Sequence, residues 1–460
     1  MKKTSFIFCL CCLFMAIQAQ TMEERIQQLE KRVLQQKEQI HQLENQLPNT
    51  EDYKQYTDNI VKEYLQESFL EDERIAITAG YEKGFFIRNA EGTIEFKLSG
   101  YSQIGVGIFE NNSVDNNSFF FNTTYLNFDA YIFKDWHARL ILNVAQADGY
   151  YFQGDTGFDN IEIRDCYIEY TGIKEFQVRI GNSHIPFSME GGWGNLDTLA
   201  VFHTPLIGWS HGRDMGVTIS GMIDDYVCYS TGIFNGDGSL NLDNDDEFLT
   251  AAKLNIFYQG KQQHPNNYFH IAAMANRRDN TTRGHIDQAC IKTSWCRLLR
   301  SIQTDDWKLG LDIGARYETK FQEQHALRFE AEGMAIRWDR CGVEAEPDPH
   351  GNLVGYGAMA GVQYKYILHP DQPKQALFLG LQWSYVDLDN HGGANMSGQT
   401  IYTYTGIVGY DVNEHFRIEF NWVIADIDDK VYNGQYGAKN KGDKSGSLEQ
   451  AWFLQVTAMF

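Results

Sequence analysis

The sequence predicts an all-β fold: a 16-stranded antiparallel transmembrane β-barrel preceded by a short N-terminal α-helical coiled coil. Three observations predict it. The chain opens on an export signal, yet beyond it no apolar run approaches the roughly 18 to 20 residues of a membrane-spanning helix. From about residue 93 onward, segments alternate apolar and polar residues with period two. The connections between those segments alternate short and long along the chain.

The N-terminus reads MKKTSFIFCLCCLFMAIQAQ. Lys2 and Lys3 form a positive head, Ser5 to Ile17 an apolar stretch, and Ala19 a small residue at the cut, so residues 1–19 read as a secretory signal peptide. Residues 20–48 form the expected coiled coil. Ile26, Leu29, Val33, Gln36, Ile40, Leu43 and Leu47 step by three and four, an a/d seam with one polar member, and make a rod roughly 40 Å long. On residue preference alone, β-branched residues at a with Leu at d lean toward two strands. Pro48 and Asn49 end the helix, and residues 49–92 read as a linker and entry hairpin.

The barrel occupies 93–460. HFRIEFNWVI places Phe416, Ile418, Phe420, Trp422 and Ile424 on one face, and Arg417, Glu419 and Asn421 on the other. WKLGLDIGARY places Trp307, Leu309, Leu311, Ile313, Ala315 and Tyr317 against Lys308, Asp312 and Arg316. WHARLILNV and TYLNFDAYI follow the same rule. In a soluble sandwich the apolar face is the core; in a membrane barrel it meets lipid and the polar face lines the lumen. Export, aromatic residues near strand ends and the alternation of connections favour the barrel. Short links lie at 134–135, 171–175, 223–225, 259–266, 318–325, 368–374 and 411–415. Long ones lie near 110–118, 148–159, 184–212, 235–246, 277–305, 339–352, 388–399 and 427–447. A further strand-like stretch, 284–296, would break this parity, so it belongs inside a long loop. Sixteen strands enclose room for an aqueous channel.

Composition narrows the function. The formal net charge is −22, which excludes simple electrostatic binding of nucleic acid. Cys166, Cys228, Cys290, Cys296 and Cys341 are scattered beyond the signal and form no CxxC pair, so neither a disulfide scaffold nor a zinc site is indicated; Cys290 and Cys296 are either a local pair or two free thiols. GxSxG, HExxH and GxGxxG are absent, and no catalytic residue, cofactor or metal is expected. The acidic run NGDGSLNLDNDDE at 235–247 lacks EF-hand spacing and reads as solvated surface.

The loop after the fifth strand, GNSHIPFSMEGGWGNLDTLAVFHTPLIGWSHGRDMGV, runs from Gly181 to Val217 and is long and rich in Gly, Trp and His. Together with FFIRNAEGTIEFKLSGYSQIG, IEIRDCYIEYTG and the terminal strand SLEQAWFLQVTAMF, it resembles the phosphate-selective porin O and P family over about four fifths of the chain. The resemblance implies a trimeric outer-membrane channel of a Gram-negative bacterium, with a constriction loop at about 184–212 and, in some members, a periplasmic coiled coil. It also implies that the barrel-assembly machinery reads the terminal strand, here Trp452 and Phe460. Expected partners are outer-membrane lipid, lipopolysaccharide, two further copies in a homotrimer and small hydrophilic solutes, but no nucleic acid.

An anion filter needs a surplus of Arg and Lys facing the lumen. Alternation places Lys97, Arg139, Arg179, Lys253, Lys308, Arg316, Arg328, Lys365 and Arg417 inward, but also Glu95, Asp129, Asp165, Glu169, Asp214, Asp312, Glu330, Glu332 and Glu419. The third loop and its edges add His184, His203, His211 and Arg213 against Glu190 and Asp197. By count the signs balance. A basic long loop carries Arg277, Arg278, Arg283, Lys292, Arg297 and Arg300, facing either arriving anions or lipopolysaccharide phosphates. The expected function is passive diffusion of small hydrophilic solutes, with an anion or phosphate preference implied by the family. The alternative is a structural or adhesin barrel anchored through its coiled coil.

Overall fold

The computed structural model describes residue 31 and residues 77–460, apart from 111–116, 146–160, 193–195, 210–211, 237, 241–246, 278–285, 293–296, 304–306, 340–352, 370–373, 391–398 and 430–446. The signal peptide and coiled coil lie outside the described residues, except for Lys31 in helical conformation.

A hairpin of β1 (Ile77–Tyr81) and β2 (Phe85–Asn89) leads into the barrel. The barrel strands are β3 (Ile94–Glu110), β4 (Ser118–Ile132), β5 (Trp136–Asn143), β6 (Glu162–Ile173), β7 (Phe176–His184), β8 (Arg213–Ile223), β9 (Val227–Phe234), β10 (Leu249–Phe257) and β11 (Tyr268–Arg277). After two non-barrel strands, β12 (Ile286–Lys292) and β13 (Arg297–Gln303), follow β14 (Trp307–Lys320), β15 (His325–Trp338), β16 (Leu353–Ile367), β17 (Ala376–Asn390), β18 (Gln399–Asp411), β19 (Phe416–Asp429) and β20 (Ser447–Met459). Each barrel strand pairs antiparallel with its neighbour, and β20 pairs with β3 to close sixteen strands into a ring. β12 and β13 pair only with each other, so the 284–296 stretch sits in a long loop, as parity required.

The two-residue period sets which face each side chain takes. Along β14, Trp307, Leu309, Leu311, Ile313 and Tyr317 are exposed on the outside, while Lys308, Gly310, Asp312, Gly314 and Arg316 are buried inward. β19 and β20 repeat this with Ile418, Phe420, Trp422, Leu454 and Val456 outward. An outer wall of exposed apolar side chains suits hydrocarbon rather than water, and the closed ring of strands pairs the backbone groups that lipid cannot.

The closing seam brings the last residue against a glycine of β3. Gly100 and Phe460 exchange two backbone hydrogen bonds of 3.0 and 2.9 Å. A methyl group at Gly100 would stand 2.8 Å from the Phe460 ring and 2.3 Å from the carbonyl oxygen of Tyr125. The terminal aromatic therefore lies across a position that admits no side chain. Below this joint, β2 takes over the edge of β3 that β20 leaves, pairing at Phe85↔Leu98 to Arg88↔Glu95. Gly100→Val, and likewise deletion of Phe460, is expected to cut the yield of closed barrel severalfold. The check is the heat-modifiable band of membrane fractions on gels, and wild-type band intensity in both variants would contradict the closure account.

The interior has two zones. Toward the short-turn end its side chains are charged. Toward the long-loop end they are apolar, with Phe120, Phe234, Leu249, Met274, Met334, Ile336, Trp338, Val386, Ile401, Val423 and Phe453 in one buried cluster. The sequence reading expected polar residues along the whole inner face. The apolar half exists because the third loop enters the barrel and packs there, contributing Ile185, Phe187, Met189 and Leu206 to the same cluster. On the short-turn rim, Lys374 pairs with Glu414 at 2.5 Å across two turns and holds that exposed carboxyl below its usual range.

Candidate channel lumen and third loop

The third long connection, residues 185–212 between β7 and β8, is held inside the barrel by polar clasps from several strands. The principal one is Glu332 of β15. Its Oε1 accepts from Ser188 Oγ at 2.7 Å and from the Met189 N–H at 2.6 Å, and its Oε2 accepts from the Glu190 N–H at 2.9 Å. Lys253 of β10 donates to the Ser188 carbonyl at 2.8 Å. Glu190 itself turns back into the loop and accepts from the Thr204 N–H at 2.7 Å and from the Thr204 hydroxyl, with His203 Nδ1 3.6 Å away. Asn421 of β19 accepts from the Val201 N–H at 2.8 Å. Asn122, the extra residue of a bulge in β4, donates to the Val201 carbonyl at 2.9 Å. Arg328 of β15 donates to the Asp197 carbonyl.

Apolar contacts complete the seat. Leu199 and Ala200 pack with Phe378 of β17 and Ile407 of β18. Leu199 sits over Gly361 of β16, where a methyl group would come within 2.3 Å of it. Phe202 stacks on Phe120 at 5.6 Å and meets Phe453 edge-on at 4.8 Å. The backbone of β12 lies against residues 205–209.

Toward the short-turn end a charged ladder crosses four strands. Register places Asp129 opposite Arg139, His137 opposite Glu169, and Glu169 opposite Arg179. His137 Nε2 lies 2.7 Å from Asp129 Oδ1, and its Nδ1 lies 3.7 Å from Glu169. Arg139 Nε donates to Asp129 at 2.7 Å and Arg179 Nη2 to Glu169 at 2.8 Å. Tyr131 stacks flat on His137 at 4.7 Å, and Arg179 lies 4.3 Å from the Tyr167 ring centre. On the other wall Asp411 holds both Arg417, at 2.7 Å, and Lys365, at 2.5 Å.

The exposure of these partners is unequal. The Arg139, Arg179, Arg417 and Lys365 side chains are 33%, 28%, 27% and 33% exposed, against 6%, 8% and 9% for Asp129, Glu169 and Asp411. The carboxylates lie against the wall and the cations stand in front of them. Under the third loop, by contrast, both partners are covered: Arg213 pairs with Asp165 at 2.6 Å, and Arg328 with Glu330 at 2.7 Å.

The sequence-predicted residues therefore separate into groups. Arg139, Arg179 and Arg417 face inward with partly exposed side chains. Arg213, Arg328 and Glu330 form buried pairs. Lys308, Arg316 and Glu419 point inward but are also buried; Lys308 Nζ lies 5.8 Å from the Trp338 ring centre, and Glu419 accepts from Asn421 at 2.8 Å. His184 closes β7, and His203 joins Glu190 within the loop. His211 lies outside the described residues. In the basic loop, Arg277 pairs with Glu247 at 3.4 Å. Arg278 and Arg283, and the side chains of Lys292, Arg297 and Arg300, lie outside the described residues. Sequence reading missed Glu332 as the clasp of the loop, and His270 beside Asp312 at 2.9 Å.

Residues 96–288 match the model of the phosphate-selective porin O and P family. The chain is an outer-membrane porin, a diffusion channel, in agreement with the lipid-facing wall and the loop-narrowed lumen. Among solved structures, the porin is similar to the outer-membrane channel DcaP of Acinetobacter baumannii. The two share 11% identity over 83% of this chain and 100% of that one, with a TM-score of 0.52. Pseudomonas putida OprB is 10% identical over 82% of the porin and 94% of its own chain, with a TM-score of 0.48. The trimer form of Vibrio cholerae OmpT is 11% identical over 80% and 100%, with a TM-score of 0.49. Likeness at these identities concerns the fold. Comparison with curated proteins finds no match.

Proposed function

We propose that this porin passes small hydrophilic anions, phosphate among them, past Arg139 and Arg179 on one wall and Lys365 and Arg417 on the other. The observation that carries this reading is the unequal exposure within the ladder. Cations and carboxylates balance by number, but the guanidinium and ammonium groups stand toward water and their partners behind them. A permeating ion interacts with the nearer charge, since the Coulomb term falls with distance and is screened within about 8 Å at physiological ionic strength. The seated third loop limits passage to small solutes. Homotrimeric assembly, with the 20–48 segment as a periplasmic coiled coil, completes the proposed porin.

Single-channel recording of the purified full-length protein tests this reading. Steps grouped in threes, with chloride current reduced when inorganic phosphate is added, are expected. Phosphate without effect on chloride current would reject the anion path, and solitary steps would reject the trimer.

A further inference from the structure

We propose that His270, Asp312 and Glu332 hold a divalent transition-metal ion behind the third loop. The three side chains come from adjacent strands, β11, β14 and β15, and all face inward. Register places both His270 and Glu332 opposite Gly314, with Asp312 two residues along. Gly314 has no side chain to fill the space between them, and a methyl group there would stand 2.7 Å from His270 Cε1. One ligand atom from each of the three residues lies within 4.8 Å of the others. His270 Nε2 is 2.9 Å from Asp312 Oδ2, and both side chains are fully buried.

Two observations point to a bound cation. Asp312 Oδ1 and His270 Nδ1 are buried and make no hydrogen bond, although each can bind a proton or a metal. The Asp312 and Glu332 carboxylates also lie within hydrogen-bonding reach of each other, with Glu190 close by and Lys253 as the nearby ammonium. One ammonium compensates only one of these carboxylates, and burying the remaining negative charge is costly, by several kcal/mol per ion. An imidazole with two carboxylates suits Zn2+ or Mn2+ better than the all-oxygen preference of Ca2+ or Mg2+. Glu332 also clasps Ser188, Met189 and Glu190, so an ion here would fix the carboxylate that seats the loop.

Tag-free full-length protein, stripped with chelator and titrated with Zn2+ by calorimetry and elemental analysis, tests the proposal. One ion per chain is expected. Asp312→Asn and His270→Gln should each weaken binding more than about 100-fold, beyond the range for lost outer-shell partners, with heat-modifiable barrel retained. No stoichiometric uptake by folded wild-type protein would overturn the site and leave the two carboxylates sharing a proton. Uptake unchanged in both variants would overturn it as well, by placing the ion elsewhere.

Discussion

Replacing Glu332 by alanine is expected to enlarge the single-channel conductance severalfold and make it noisier, while the barrel still forms. The substitution removes the acceptor of three hydrogen bonds that hold the start of the third loop. Each buried donor left without a partner costs about 1 to 3 kcal/mol, so with three donors the seated loop loses about 3 to 9 kcal/mol relative to a loop in water. The barrel wall does not depend on this side chain, because β15 keeps its ladders to β14 and β16. Asn421 and Asn122 still hold Val201, so release concerns residues 185–192 first. The double variant Glu332→Ala, Asn421→Ala should open the lumen further. Conductance equal to wild type in the double variant would mean that the loop does not limit the pore.

The second large effect concerns selectivity. Arg139→Gln together with Arg179→Gln removes two forward-facing cations and leaves Asp129 and Glu169 with fewer partners. A unit charge at 4 Å in a water-like medium contributes about 1 kcal/mol. Two such charges correspond to a fall of about tenfold or more in the anion-to-cation permeability ratio, at 1.4 kcal/mol per factor of ten. The same double change at Arg213 and Arg328, whose pairs are covered by the loop, should alter selectivity far less. Equal shifts from both double variants would show that exposure is not the deciding property.

Much of this fold was legible in the sequence because its determinants are local. Period two in WKLGLDIGARY and HFRIEFNWVI assigns faces residue by residue, and the alternation of connection lengths fixed the number of strands. Parity alone removed 284–296 from the barrel, where β12 and β13 indeed pair only with each other. The two-zone interior was not legible. Ile336, Val386 and Phe453 fall on the inner face by alternation, but nothing near them in sequence says that residues 185–212 will cover them. The charge pattern failed for a related reason. Counting inward residues gave equal numbers of each sign, whereas which charge stands forward depends on cross-strand register, as between Asp129 and Arg139 or Glu169 and Arg179. Glu332 looked like one more lumen acid, because its three donors lie more than 140 residues earlier in the chain.

The most direct test of the central claim is the reversal potential of the purified wild-type porin across a planar bilayer in a potassium chloride gradient. If the forward cations govern the lumen, the potential takes the sign of anion preference despite a formal net charge of −22. A potential of the opposite sign would show that the overall acidity governs permeation and that the ladder of Arg139 and Arg179 does not.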